Sequence, residues 1–159
     1  TGALALYLHH YLPEAQVRAV ELADAALAYT TANTRGSGVE VIQADATDAT
    51  TLAEWNGTVD LIVTNPPYVP ETPNLDPEVY HDPHDAVFAG EDGMGVITGL
   101  IPTFARLLRP DGKVAIEHDD STSEAVQAAM ARHGGFERIS ALQDMTGTPR
   151  FVTAVRAVD

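Results

Sequence analysis

Two adjacent prolines, Pro66 and Pro67, close the apolar run Val59-Asp60-Leu61-Ile62-Val63-Thr64 and limit what the middle of this chain can become. The run reads as a short buried strand. Neither strand nor helix passes through the prolines, because each ring fixes its own φ and removes an N–H. Asn65 and Pro66 are also held extended by the proline that follows each of them. What leaves the strand is a stiff loop, Asn65-Pro66-Pro67-Tyr68, offering carbonyl oxygens, one carboxamide and one aromatic ring. Open α/β sheets place ligand chemistry at the carboxyl ends of their strands. Such a loop suits accepting hydrogen bonds from an NH2 group, with the Tyr68 ring laid on its flat face and the hydroxyl secondary. The plainer alternative is a proline-rich strand exit with an incidental tyrosine; loops carry function often enough to favour the first.

The rest of the chain alternates. Ala3 to Leu12 is helical in pattern and closed by Pro13, and Val17 to Leu22 reads as a strand. Ala23 to about Arg35 is an alanine-rich helix ended by Gly36-Ser37-Gly38, and Val39 to Ala44 is the next strand. A short helical turn at Leu52-Ala53-Glu54-Trp55 leads through Asn56-Gly57 into Val59 to Thr64. Val69 to Gly95 is a long connection rich in Pro, Asp, His and Gly. A helix over Val96 to Leu108, with Pro102 near its first turns, precedes a turn at Arg109-Pro110-Asp111-Gly112 and a strand from Lys113 to His118. Ser121 or Ser123 can cap a helix to about Arg132, with Glu124 as the capping-box acid after Ser121. Phe136 to Leu142 and Arg150 to Val158 close the chain as two strands with no clear helix between them. Alternating strands and helices predict a mostly parallel, doubly wound α/β sheet, and the last two strands an antiparallel hairpin.

At 159 residues this is one domain's worth of chain, 45% hydrophobic. The net charge of −14 repels a phosphate backbone, so nucleic acid is a poor default partner. With no cysteine there is neither a disulfide nor a thiolate metal site. No signal peptide or membrane-length apolar run is visible, and a cytoplasmic location is the default.

Three further positions sit where cofactor chemistry gathers. Gly2 opens a helix and Glu21 ends the next strand about twenty residues later, the spacing of a dinucleotide-type site in which an acid accepts from ribose hydroxyls. Glu21 reads equally well as a solvated strand-end carboxylate. Asp45, at the end of the following strand, has the adenine side of a nucleoside or a simple turn as its two readings. His81-Asp82-Pro83-His84-Asp85 and Glu117-His118-Asp119-Asp120 contain ligand types, but neither has the i, i+4 spacing of a helical zinc site, so no metal is expected. His9-His10 reads as helix surface.

The run Asn65-Pro66-Pro67-Tyr68-Val69-Pro70 resembles the signature of class I S-adenosylmethionine-dependent methyltransferases that act on planar NH2 groups, and most of all the release-factor glutamine N5-methyltransferases. Further matching runs are Asp85 to Gly93, Leu107-Leu108-Arg109-Pro110-Asp111-Gly112 and Gly147-Thr148-Pro149-Arg150-Phe151-Val152, so the resemblance spans essentially the whole chain. It implies a Rossmann-like sheet of seven strands with an antiparallel last hairpin, S-adenosylmethionine as cofactor and a peptide chain release factor as partner. It also implies residue roles. Thr1-Gly2 matches the tail of the glycine-rich cofactor loop, Glu21-Leu22 the ribose acid and its neighbour, and Asp45-Ala46 the adenine-side positions. Asn65 to Tyr68 matches the substrate-amide loop, Asn65 also lying beside the cofactor, with Asn65, Pro66 and Tyr68 carrying the catalysis.

The departures are at the front and in the long connection. The family's first strand, most of its glycine loop and its N-terminal helical recognition domain have no counterpart here, and Asp82-Pro83 stands where Glu-Pro is common. Residues 1–159 are therefore expected to be a catalytic domain truncated at its N-terminus, from whose sheet the first strand is missing. An N6-adenine-type methyltransferase, an inactive cofactor-binding remnant and a nicotinamide dehydrogenase are the competing expectations.

Overall fold

The computed structural model describes residues 1–68 and 93–158, which form two compact units, 1–51 and 52–159. In the first, Gly2 turns the chain with φ +78° into helix α1 (Ala3–Tyr11), which stops just before Pro13. Strand β1 (Arg18–Glu21), helix α2 (Asp24–Thr34) and strand β2 (Glu40–Gln43) follow, each within a residue or two of its predicted bounds. β1 and β2 pair in parallel from Arg18 opposite Glu40 to Glu21 opposite Gln43, and the first pair is tied by an ion pair of 2.8 Å. A crossover helix between two parallel strands is the βαβ unit that the alternating pattern predicts.

The second unit begins with a 3-10 turn (Ala53–Trp55) and strand β3 (Val59–Thr64). Helix α3 (Gly95–Leu107), strand β4 (Leu108–Glu117), helix α4 (Ser123–His133) and strands β5 (Phe136–Gln143) and β6 (Pro149–Arg156) complete it. The sheet order is β3-β4-β6-β5. β3 and β4 are parallel, while β6 runs antiparallel to both β4 and β5, so the expected closing hairpin is present. Its core is Ile97, Leu100, Ile101 and Phe104 from α3, Val114 and Ile116 from β4, Val126 and Met130 from α4, and Val152 and Ala154 from β6.

Three local expectations are corrected. Pro102 lies in mid-helix, rather than near the first turns of α3. It sits on the exposed side, and the buried stripe opposite it holds the helix through a residue that costs about 3 kcal/mol in an interior. The predicted turn at Arg109 to Gly112 is an excursion inside β4. Val59 pairs with Leu108 and Leu61 with Lys113, so five steps on β4 match two on β3. Arg109 Nε donates to Asp60 Oδ1 at 2.6 Å across it, and Asp111 takes φ +62°. Finally, Ser121 caps nothing. Asp119 does, accepting from the Ser121 amide at 3.0 Å and hydroxyl at 2.5 Å to start a 3-10 turn (Asp120–Thr122) that runs into α4.

The described residues hold the six strands that the sequence predicts, arranged in a two-stranded and a four-stranded sheet. Among them, β1 is paired on one side only, by β2, and β3 on one side only, by β4. No described helix is long and apolar enough to cross a membrane.

Candidate active site

The loop begins where β3 runs out. Thr64 pairs with Ile116, so Asn65 leaves the sheet level with Glu117, the last residue of β4. Pro66 is buried, Pro67 and Tyr68 are half-buried, and Asn65 is exposed. Among the described residues the Asn65 carboxamide has no hydrogen-bond partner in the protein, so its oxygen and its NH2 are available to a ligand. The Tyr68 hydroxyl does have a partner: it donates to Glu117 Oε1 at 3.1 Å. Burial, then the Glu117 charge, push the phenol above its ordinary range, which keeps it protonated and donating.

Glu117 is the residue that sequence reasoning missed. It was visible only as part of an acidic, histidine-containing run, and a bond across 49 positions leaves no periodicity to read. The signal was positional, since a carboxylate ends the strand beside the one that ends at Asn65. His118 and Asp119 of that run bond within the chain, although the buried His118 Nε2 has no partner among the described residues. His118 is fully buried, its backbone N–H donates to the Arg150 carbonyl at 3.0 Å, and its Nδ1 donates to the Asp119 carbonyl at 2.7 Å. Burial opposes ionisation of Asp119, but the Ser121 bonds outweigh it and hold the carboxyl below the usual range. These residues close a polypeptide turn. The run His81 to Asp85, with Val69, Pro70 and Asp85 to Asp92 of the matching motifs, lies outside the described residues.

At the hairpin, Asp144 Oδ1 accepts from the Thr146 amide at 2.8 Å and the Thr148 amide at 3.1 Å, and Gly147 takes φ +85°. The matching run Gly147 to Val152 is therefore turn chemistry followed by a core strand. A shallow groove of about 300 Å³ on the sheet is lined by Leu61, Lys113, Ala115, Thr153 and Val155 among others, and no residue of the Asn65–Tyr68 loop contributes to it.

The first unit carries the positions expected to hold a cofactor. Glu21 ends β1 and Asp45 follows β2 by two residues, so two carboxylates stand at the same end of adjacent parallel strands. Glu21 Oε1 accepts from the Leu22 amide at 3.1 Å, and the Leu22 side chain beside it is 58% exposed. Asp45 Oδ1 accepts from the Thr47 amide at 2.8 Å and hydroxyl at 2.6 Å, which is the turn-forming role, and Ala46 beside it is half-buried. The donor set fits a nucleoside: carboxylate for hydroxyl groups, exposed aliphatic surface for a flat base. Thr1 and Gly2 are tied to α2, through Asn33 Nδ2 donating to the Thr1 carbonyl at 3.0 Å and through the Gly2 contacts with Thr30 and Thr34.

Comparison with known proteins decides the family. The model of the methyltransferase small domain matches residues 1–82. The chain belongs to the methyltransferase small domain family. Several relatives bear the name release factor glutamine methyltransferase, two of them from Corynebacterium glutamicum and Mycolicibacterium smegmatis. The protein of Corynebacterium glutamicum is 51% identical over 97% of this chain and 56% of its own length, and that of Mycolicibacterium smegmatis is 52% identical over 98% and 56%. The chain therefore spans little more than half the length of these relatives. Among solved structures, a methyltransferase from Pyrococcus furiosus superposes with a TM-score of 0.71 at 18% identity, over 99% of this chain and 71% of that one. The fold is that of a class I methyltransferase, α/β with mostly parallel strands and an antiparallel end, and the donor such domains use is S-adenosylmethionine.

Proposed function

We propose that this chain is the methyl-transferring part of an enzyme that methylates the side-chain amide nitrogen of a glutamine in a peptide chain release factor. The observation that supports it is the Asn65–Tyr68 loop leaving the end of β3 with its carboxamide unpartnered, in a chain half identical to two relatives of that name. An amide nitrogen is a weak nucleophile because its lone pair is delocalised into the carbonyl. Asn65 Oδ1 and the Pro66 carbonyl each accept one of its two N–H bonds and orient the nitrogen; the prolines keep those oxygens in place at little entropic cost. Tyr68 packs its ring on the amide plane. S-adenosylmethionine, when bound, supplies an electrophilic methyl on a sulfonium. Glu21, Leu22, Asp45 and Ala46, with Thr1 and Gly2 at the head of α1, would hold its nucleoside, and Asn65 its reacting end. The work of the protein is positioning and electrostatics, with no metal and no covalent enzyme intermediate. The acidic chain favours a protein substrate over nucleic acid, in the cytoplasm where termination takes place.

The test is incubation of the full-length protein with methyl-labelled cofactor and, in parallel, release factor and DNA. Label on the glutamine amide of the release factor is expected. Label on adenine and none on protein would overturn the assignment.

A further inference from the structure

The Asn65–Tyr68 loop has an unusual mechanical problem. Two of its four residues lack a backbone N–H, so half of its ordinary means of tethering itself to the sheet is missing. Its first residue is exposed, and among the described residues its carboxamide has no hydrogen-bond partner in the protein. The tether that the described residues do provide is the Tyr68 hydroxyl, and it ends on Glu117 Oε1. Glu117 is a good anchor. It is the last residue of β4, the strand held on both sides by β3 and β6, where it pairs with Phe151, and its neighbours Ile116 and His118 are completely buried. Sites supported from a rigid central strand keep their geometry better than sites left to their own loop.

We propose that Glu117 is a positioning residue for methyl transfer, its carboxylate fixing the Tyr68 ring through the phenol hydroxyl so that the ring stands where the substrate amide plane must lie. This rests on the reaction proposed above. Glu117 touches neither substrate nor cofactor; it acts through Tyr68. Charge matters as well as reach, because a hydrogen bond to an ionised acceptor is shorter and stronger than one to a neutral group. The half-buried setting of both side chains reduces competition from water. A rotation of the ring about χ1 or χ2 would leave the Asn65 and Pro66 oxygens in place while removing the face against which the amide packs. Loss of Glu117 should therefore appear in turnover more than in substrate binding.

The experiment is a double-mutant cycle in the full-length protein, with release factor and labelled cofactor, together with NMR of the protein carrying 13Cζ-tyrosine. Glu117→Ala and Tyr68→Phe are each expected to lower kcat about tenfold with KM for the release factor nearly unchanged, the loss typical of a hydrogen bond to a charged group. The double variant should be no worse than either single one. Glu117→Gln keeps an acceptor oxygen of the same reach without the charge, and its turnover should fall between those of the parent and Glu117→Ala. In the spectrum, the phenol of Tyr68 should titrate above the ordinary range in the parent and closer to it in Glu117→Ala. Additive losses, a Glu117→Ala protein whose only defect is a lower melting temperature, or a Tyr68 titration untouched by Glu117→Ala would each overturn the proposal. If the parent protein leaves the release factor unlabelled, the proposed reaction fails on its own account. The Tyr68 titration then still decides whether the tether exists.

Discussion

A β-carbon placed on Gly2 would stand 3.0 Å from Thr34 Cγ2 and 3.2 Å from Thr30 Cγ2, so the first turn of α1 is seated directly on α2. Gly2 also has φ +78°, where a side chain is strained whatever the space around it. Gly2→Ala should therefore cost on the order of 1–2 kcal/mol from backbone strain, with the contact adding to it. A urea titration with the same slope and a lower midpoint is the expected result. An unchanged midpoint would show that the helix start moves freely away from α2.

The loop residues make a sharper kinetic prediction. Tyr68→Ala removes both the ring and its tether, and should cost on the order of 10²-fold or more in kcat, clearly beyond the loss in Tyr68→Phe. Asn65→Ala should be at least as damaging as Tyr68→Ala, because the nucleophile loses an acceptor that orients it, and the effect should reach kcat as well as KM. Steady-state kinetics on release factor with cofactor saturating will separate the two. If Tyr68 were core packing alone, both of its variants would lower the melting temperature and leave turnover intact.

Asp119 gives stability a dependence on acid. Its folded carboxyl lies below the ordinary value of 3.8, so folding favours the ionised form. That contribution is complete above the unfolded value and is lost as pH falls through the folded one. Asp119→Ala should lower stability by about 1 kcal/mol at neutral pH, the usual worth of such a cap. The difference between parent and variant should hold down to about pH 5 and shrink steadily below pH 4. A constant difference across that range would mean that the carboxylate is not what holds the turn at Ser121.

The two one-sided strands bear on the behaviour of residues 1–159 studied alone. β1 and β3 each present a row of backbone N–H and C=O groups without a strand partner among the described residues, and such edges recruit other chains. The isolated 159-residue chain should melt broadly, associate in a concentration-dependent way and bind cofactor weakly. Calorimetry and light scattering over a tenfold range of concentration will show it. A single sharp transition at high temperature, independent of concentration, is the contrary outcome.

Much of this was legible beforehand, for reasons that differ by element. Val59–Thr64 and the Asn65–Tyr68 exit were readable because β-branched residues and prolines act locally, and the hairpin of β5 and β6 because a turn signal separates two extended runs. The excursion in β4 was not. Arg109 to Gly112 has the composition of a turn, and only the pairing of Leu108 with Val59 makes it an interruption inside one strand. Register is a relation between strands, and periodicity along one strand does not contain it. The same holds for Glu117, whose role is set by a partner 49 residues away. Asp119 was overlooked in favour of Ser121 because both residue types cap helices, and the choice depends on where the preceding strand releases the chain.

That excursion has a consequence for the design of probes. It opposes the first residues of β3, whereas Asn65 lies beyond the last, about 20 Å away at the rise of a strand. Arg109, Pro110 and Asp111 are exposed, and it is Gly112, hemmed in by the Arg109 and Val59 carbonyls, that must stay as it is. Sequence inserted between Pro110 and Asp111 would enlarge a bend that the sheet already bypasses. A reporter peptide or fluorophore carried there would travel with β4, yet sit beside the end of β3 opposite the one that Asn65 leaves.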